Sequence, residues 1–335
     1  MANKFALIYQ WFSEYFKFCP LTRKKIKNIS PLLVVGHRGS PSKEIENTIP
    51  SLELAYQEGA NGLEIDLCIT KDNVVILWHD WNPNDTTALL REAGFEPFVK
   101  YKPHPPDLGD ELRGPIPNLL FEEVKTHFKV KERKSDNAIP IDANIATLEQ
   151  FFEWTVDKPK LKYIFLDIKT PENAPLTSLK ILDKVKELYC KHESKFKIVI
   201  ETCVKDICLL MKKHFPEFEY SLDIEPRAGI IFNPKDYSCV QPAIEHNNKI
   251  ALALRPRKVT IANWTTYRRI IRHDLRLKNL FNKVSKTHTI DKVVAATVSK
   301  KHEMKCLLKM GIDGIQTDYP EQLMKIAKRY KREIE

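Results

Sequence analysis

The chain has 335 residues, 43% of them hydrophobic and 29% charged, enough to bury a large core and at odds with a disordered protein. Its net charge of +10 is patchy, with +5 in residues 1–31, +12 in residues 255–310 and −7 elsewhere. No G-x-G-x-x-G fingerprint, G-x-x-x-x-G-K-[ST] loop or G-x-S-x-G elbow occurs, which argues against dinucleotide, P-loop and lipase-type chemistry.

Seven cysteines lie scattered without C-x-x-C spacing, which argues against a zinc or redox pair and fits a reducing, cytoplasmic setting. The basic patches could attract anionic lipid or nucleic acid. No nucleic-acid motif accompanies them, so no nucleic-acid partner is expected.

Near the N-terminus, FALIYQWFSEYFKF reads as an amphipathic helix with Phe5, Ile8, Phe12 and Tyr15 in one stripe, broadened by Leu7, Trp11 and Phe18. Polar interruptions make it too short to span a bilayer of about 30 Å, and it lacks a signal-peptide pattern. The basic run Arg23, Lys24, Lys25 and Lys27 follows. Two readings stand: an interfacial anchor peripheral to anionic membrane, or a helix that plugs the bottom of a barrel.

From Leu32 the pattern turns to strands and helices. A strand at 32–36 precedes a helix that starts near Asn47-Thr48, where polar capping residues come before Ile49-Pro50. Strands at 62–68 and 73–79 follow. Alternation along LEIDL puts Glu64 and Asp66 on one face, roughly 6.6 Å apart at about 3.3 Å per residue. Inside a sheet that pairing costs several kcal/mol unless a cation or water compensates. His37 follows the apolar run LLVV and His79 follows VVILW, so each imidazole is expected where a buried strand surfaces.

Residues 81–145 form a connection far longer than the 2 to 6 residues usual for a βα loop. Its prolines exclude a long helix or central strand, and its position after His79 predicts a lid over the site. Alternation then resumes with a helix at 147–155 and a strand at 161–169, where Asp167 and Lys169 share a face. Helices at 176–192 and 204–214 and strands at 196–201, 219–224, 249–254, 292–298 and 314–317 complete the pattern. A basic helix around 264–284, with Arg268, Arg269, Arg272 and Arg276, is the candidate for a second membrane-facing surface.

The rhythm predicts an α/β fold, a (β/α)8 TIM barrel. Nine candidate strands compete for eight places, and the surplus one is expected between 219 and 254. Residues 1–31 read as an amphipathic, basic segment, 32–325 as the barrel with its insertion after strand 3, and 326–335 as a basic tail.

Glu64, Asp66 and Asp167 make an all-oxygen set, which suits one divalent cation, Mg²⁺ or Ca²⁺, better than zinc. His37 and His79 suit acid–base cleavage of a phosphodiester, because imidazole both accepts and donates protons near neutral pH. His37 is assigned as base or nucleophile and His79 as the acid for the leaving alcohol, with the reverse order open. Arg38 and Lys169 would stabilise charge on non-bridging oxygens. Asp80 is expected to orient a neighbouring group.

The ordered set His37-Arg38-Gly39, Glu46-Asn47-Thr48, Glu64-x-Asp66 and His79-Asp80, followed by ATLEQF, FLDIK and GIDGIQTDYP, resembles the glycerophosphodiester phosphodiesterase family from about residue 32 to 325. The resemblance implies a barrel hydrolase whose cation is held by acids at positions 64, 66 and 167, and a site-lining role for Glu46, toward Arg38 or a substrate hydroxyl. Two departures stand out. The family usually has Glu where this chain has Asp167, a position at which the related sphingomyelinase D branch also uses Asp, and it commonly has Trp where this chain has Ala296, which predicts a wider pocket.

The expected reaction is metal-dependent hydrolysis of a glycerophosphodiester to an alcohol and glycerol phosphate. The alternatives are a lysophospholipase D or sphingomyelinase D-like enzyme acting on lysophospholipid at a membrane, and an inactive lipid-binding protein.

Overall fold

Apolar runs such as LLVV and KVVAA form strands buried on both faces, as parallel strands covered by helices require. The computed structural model describes residues 4–17, 30–135, 137–140, 145–224, 233–256 and 260–335. Its strands, in chain order, are β1 (Leu33–His37), β2 (Gly62–Ile69), β3 (Val75–Leu77), β4 (Tyr101–His104), β5 (Lys129–Glu132), β6 (Ala138–Pro140), β7 (Tyr163–Ile168), β8 (Lys197–Thr202), β9 (Glu219–Leu222), β10 (Ile250–Leu254), β11 (Lys292–Ala296) and β12 (Gly314–Thr317). Eight of these, β1, β2 and β7 to β12, alternate with helices as the staves of a (β/α)8 barrel.

The chain divides into two compact units, one of Met1–Val34, Glu219–Thr317 and Gln322–Glu335, the other of Val35–Phe218 and Asp318–Glu321. In the second unit β1, β2, β7 and β8 pair in parallel in that order. The register sets His37 beside Glu64 and Asp66 beside Asp167. The surplus strand is β3, not one between 219 and 254. It pairs antiparallel with β2, Leu67 opposite Leu77 and Ile69 opposite Val75, because the few residues from Thr70 to Val74 allow a hairpin but no crossover helix. β3 therefore descends, and Trp78 N–H donates to the Asp66 carbonyl at 3.0 Å. His79 reaches the level of Asp66 from above.

The insertion after β3 is folded. β4, β5 and β6 form an antiparallel sheet, with one short helix, Thr86–Glu92, before β4 and another, Phe121–His127, between β4 and β5. Pro103 and Pro140 sit in its edge strands β4 and β6, the positions proline tolerates. Ile116, Leu119, Val124, Phe128 and Val130 pack with Cys68, Ile76 and Trp78 of the hairpin.

In the first unit β10, β11 and β12 pair in parallel, and Leu252 N–H donates to Ser221 Oγ of β9. Helix Lys4–Phe16 buries Leu7, Trp11 and Glu14 against helix Ile261–Val284. Phe5 and Phe12 of the expected stripe point away from the contact, and Glu14 is drawn inward by arginine. Arg272 grips its carboxylate with Nε and Nη2 at 2.9 and 3.0 Å. Arg268 donates to the carbonyls of Glu14 and Lys17, satisfying the end of that helix.

Arg268 and Arg269 are buried, so the expected second membrane-facing surface is not available there; Arg276 alone of the four is exposed. The C-terminus is not a free tail, since Ile334 bridges Leu32 and Glu335 pairs with Lys292 at 2.7 Å. Cys306 is disulfide-bonded, whereas Cys68, Cys190 and Cys239 are free thiols. The run Arg23 to Lys27 lies outside the described residues. No helix among those described is long and apolar enough to cross a membrane.

Candidate active site

The eight sequence-predicted site residues all fall in the second unit, and its strand register gathers them. Neighbouring strands lie about 4.8 Å apart, so the paired Asp66 and Asp167 stand side by side, with Glu64 one step below. One carboxylate oxygen from each of Glu64, Asp66 and Asp167 lies within 4.8 Å of the other two. Glu64 and Asp66 are fully buried.

The backbone before the helix Ile49–Gln57 divides three tasks among three residues. Glu46 Oε2 accepts from Arg38 Nη1 at 2.9 Å. Asn47 donates from Nδ2 to Asp66 Oδ2 at 2.7 Å and accepts the Asp66 N–H at 3.1 Å. Thr48 caps the helix. The preceding turn is tight: Arg38 has φ of 53°, and a Cβ on Gly39, at φ of 90°, would meet Ser51 at 2.5 Å. That turn directs the Arg38 N–H at Glu64 Oε2, 2.8 Å away.

Each histidine has its Nδ1 held by a carboxylate, His37 by Asp318 and His79 by Asp80, both at 2.7 Å. At His37 such a bond favours the Nδ1–H tautomer and leaves Nε2 for chemistry; at His79 the Arg91 Nη1 donor also lies 2.9 Å from Nδ1. His37 Nε2 stands 3.9 Å from Glu64.

A chain of ion pairs runs from the His79 dyad to the acidic cluster. Asp80 meets Arg91 at 2.5 Å, Arg91 bonds Glu46, Glu46 bonds Arg38, and Arg38 Nε lies 3.0 Å from Asp66. Lys169 then lies 3.0 Å from the other Asp66 oxygen and bonds Asp167. Glu96 closes the chain on Arg91 at 2.8 Å.

The environments of the two imidazoles differ in sign. Burial and Arg38 pull the His37 pKa down, but Glu64 and Asp318 outweigh them and the net shift is upward. Burial, then Arg91, Arg38 and Lys169, lower that of His79. Burial and the neighbouring Asp66 charge push Glu64 up to about 7. Burial opposes ionisation of Asp66 too, yet Lys169 and Arg38 hold it well below the ordinary range.

The acids fit a divalent cation on the structure's own evidence. Asp66 Oδ1 is buried and its charge is met by the Lys169 ammonium at 3.0 Å, without hydrogen-bond geometry. Glu64 is driven toward its neutral form by like charge that a cation would offset. All the donors are hard oxygens.

Arg91, Glu96 and Asp318 belong to this centre and carried no role in the sequence reading, and Asn47 was read only as a cap. Asp318 had one available signal: it follows β12 as His37 follows β1, inside a motif already singled out. Arg91 and Glu96 had none, since they lie in the irregular insertion. A cleft opens beside His79, Asp80 and Arg91, walled on its far side by Tyr101, Pro103 and Val130.

The sequence model of the Glycerophosphoryl diester phosphodiesterase family matches residues 37–322. A Glycerophosphodiester phosphodiesterase of Bacillus altitudinis is 23% identical over 89% of this chain and 99% of its own length. YqiK of Bacillus subtilis, an uncharacterized protein, is 24% identical over 88% and 98%. Among solved structures, a glycerophosphodiester phosphodiesterase of Thermotoga maritima superposes with a TM-score of 0.56 at 19% identity, over 88% of this chain and 98% of that one. An Oleispira antarctica phosphodiesterase in complex with the product sn-glycerol-3-phosphate gives 0.59 at 18% identity, over 89% and 97%.

Proposed function

Because the chain belongs to the glycerophosphoryl diester phosphodiesterase family and is thus a phosphoric diester hydrolase, we propose that it cleaves a glycerophosphodiester to an alcohol and glycerol phosphate by two-histidine acid–base catalysis. The observation that carries this reading is the pair of carboxylate–imidazole dyads flanking one buried all-oxygen cluster. The product bound to the Oleispira antarctica enzyme supports glycerol phosphate as the retained half.

Glu64, Asp66 and Asp167 would hold one Mg²⁺ or Ca²⁺, which when bound supplies Lewis-acid stabilisation of charge on phosphoryl oxygen. The protein's own groups do the rest. His37 takes a proton at Nε2 from the attacking hydroxyl, which belongs to water or to the adjacent glycerol carbon; the second route gives a cyclic phosphate that water then opens to glycerol phosphate. A bond forms to phosphorus, the bond to the leaving alcohol oxygen breaks, and His79 gives that oxygen its proton. Arg38 and Lys169 enter from ion pairs with carboxylates and exchange one partner for a phosphate oxygen.

In the ion-free centre the surroundings raise the proton affinity of His37 and lower that of His79. His37 loses the attraction of Glu64 once that carboxylate engages a cation, and His79 gains proton affinity once an anionic phosphodiester lies beside it. Both changes favour His37 as base and His79 as acid.

The test is hydrolysis of glycerophosphocholine with Mg²⁺ or Ca²⁺, before and after chelation, followed by phosphorus NMR. Glycerol phosphate formed only with a cation supports the reading, and turnover unaffected by chelation overturns it. The apolar wall of Tyr101, Pro103 and Val130 beside His79, with the insertion acting as lid, favours a second reading, lysophospholipid cleavage. Exclusive turnover of lysophosphatidylcholine would select it.

A further inference from the structure

Helix Lys4–Phe16 has one face fixed and one face bare. Leu7, Trp11 and Glu14 are buried against helix Ile261–Val284. On the opposite face Phe5, Tyr9, Phe12 and Phe16 are 82%, 75%, 48% and 68% exposed. Their spacing of four, three and four residues is the helical repeat, so they form one aromatic stripe directed outward.

The charges of the sequence that contains this helix are almost all of one sign. Residues 1–31 contain six basic side chains and one acid. That acid, Glu14, is 2% exposed and is held by the Arg272 fork. Lys4 and Lys17, at the two ends of the helix, are exposed, and the sequence continues with Arg23, Lys24, Lys25 and Lys27. The helix thus withdraws its only negative charge and presents aromatics flanked by cations.

We infer that this face docks on an anionic lipid bilayer. Aromatic rings favour the boundary between headgroups and acyl chains, and basic residues beside them are drawn to anionic lipid. A second copy of the chain is the poorer partner, because two such faces would bring like charges together. The Arg272–Glu14 fork, with Arg268 on the helix-end carbonyls, anchors the helix by its inner face and keeps the stripe directed outward. The inference is independent of which phosphodiester the site cleaves.

The full-length chain is to be sedimented with vesicles of phosphatidylcholine alone and with about one-third phosphatidylglycerol, at low and high salt, beside the variant Phe5→Ser/Phe12→Ser/Phe16→Ser. Circular dichroism and thermal melting establish that the variant is folded, whatever its activity. The expected result is retention about tenfold higher on anionic than on neutral vesicles, reduced by salt, and at least about fivefold lower for the folded variant. Equal retention on both vesicle types, no retention on anionic ones, or a folded variant that binds like the parent would overturn the inference. So would a dimer in sedimentation velocity that the variant abolishes, since the stripe would then be a contact between copies.

Discussion

The ends of β1 and of the β2–β3 hairpin deliver the same device by different routes. At the first, a stave rises to His37, and Asp318 holds its Nδ1. At the second, a strand turns back and descends to His79, and its own neighbour Asp80 holds Nδ1. The surroundings then separate them, because His37 faces Glu64 whereas His79 faces Arg91. Identical side chains, each with a carboxylate on Nδ1, thus acquire opposite tendencies in the ion-free centre from the charges one step farther out, and the proposed roles of base and acid require that cation and substrate reverse them.

The largest effect expected is from His37→Ala, which removes the base for every substrate and lowers kcat/KM by about a thousandfold; full turnover in a steady-state assay would break the comparison at its first member. Asp318→Asn and Asp80→Asn each leave an imidazole with its orienting bond weakened, and each should cost about a hundredfold in kcat with a smaller change in KM. A loss confined to KM would assign those carboxylates to substrate binding instead.

Arg91→Met removes the cation that lowers the His79 pKa, so that pKa rises. If His79 must be protonated to act, the alkaline limb of the rate profile moves to higher pH by up to about one unit, and an unmoved limb would detach Arg91 from His79.

The smallest effect concerns Glu64 and stability. Folding raises its carboxyl from the ordinary range to about 7, so within that window the folded chain binds a proton that the unfolded chain does not. Ion-free stability therefore falls as pH rises through the window, and a cation replaces the missing proton most effectively above it. The rise in Tm on adding Mg²⁺ or Ca²⁺ should be a few degrees larger at about pH 8 than at about pH 5. Equal shifts would argue against Glu64 as a ligand.

Much of this architecture was legible because buried parallel strands announce themselves as apolar runs, and a charged residue inside such a run needs a reason. Glu64, Asp66 and Asp167 were readable on that ground. The direction of β3 was not, since VVILW carries the same apolar signal whichever way it pairs; only the shortness of the Thr70 to Val74 connection distinguished a hairpin. Arg91 was invisible because its partners Asp80, Glu46 and Glu96 are chosen by the folding of an irregular insertion. Arg268 and Arg272 misled for the reverse reason. On the sequence they form a basic helical face, but Glu14, more than 250 residues away, consumes it.

The division of labour is tested most directly by the leaving group. His79→Ala is to be assayed on glycerophosphocholine, whose alcohol needs a proton to depart, and on glycerol p-nitrophenyl phosphate, whose phenolate does not. The account predicts a loss of about a thousandfold on the first and less than about tenfold on the second. Equal losses on both substrates, or this pattern appearing in His37→Ala instead, would contradict it.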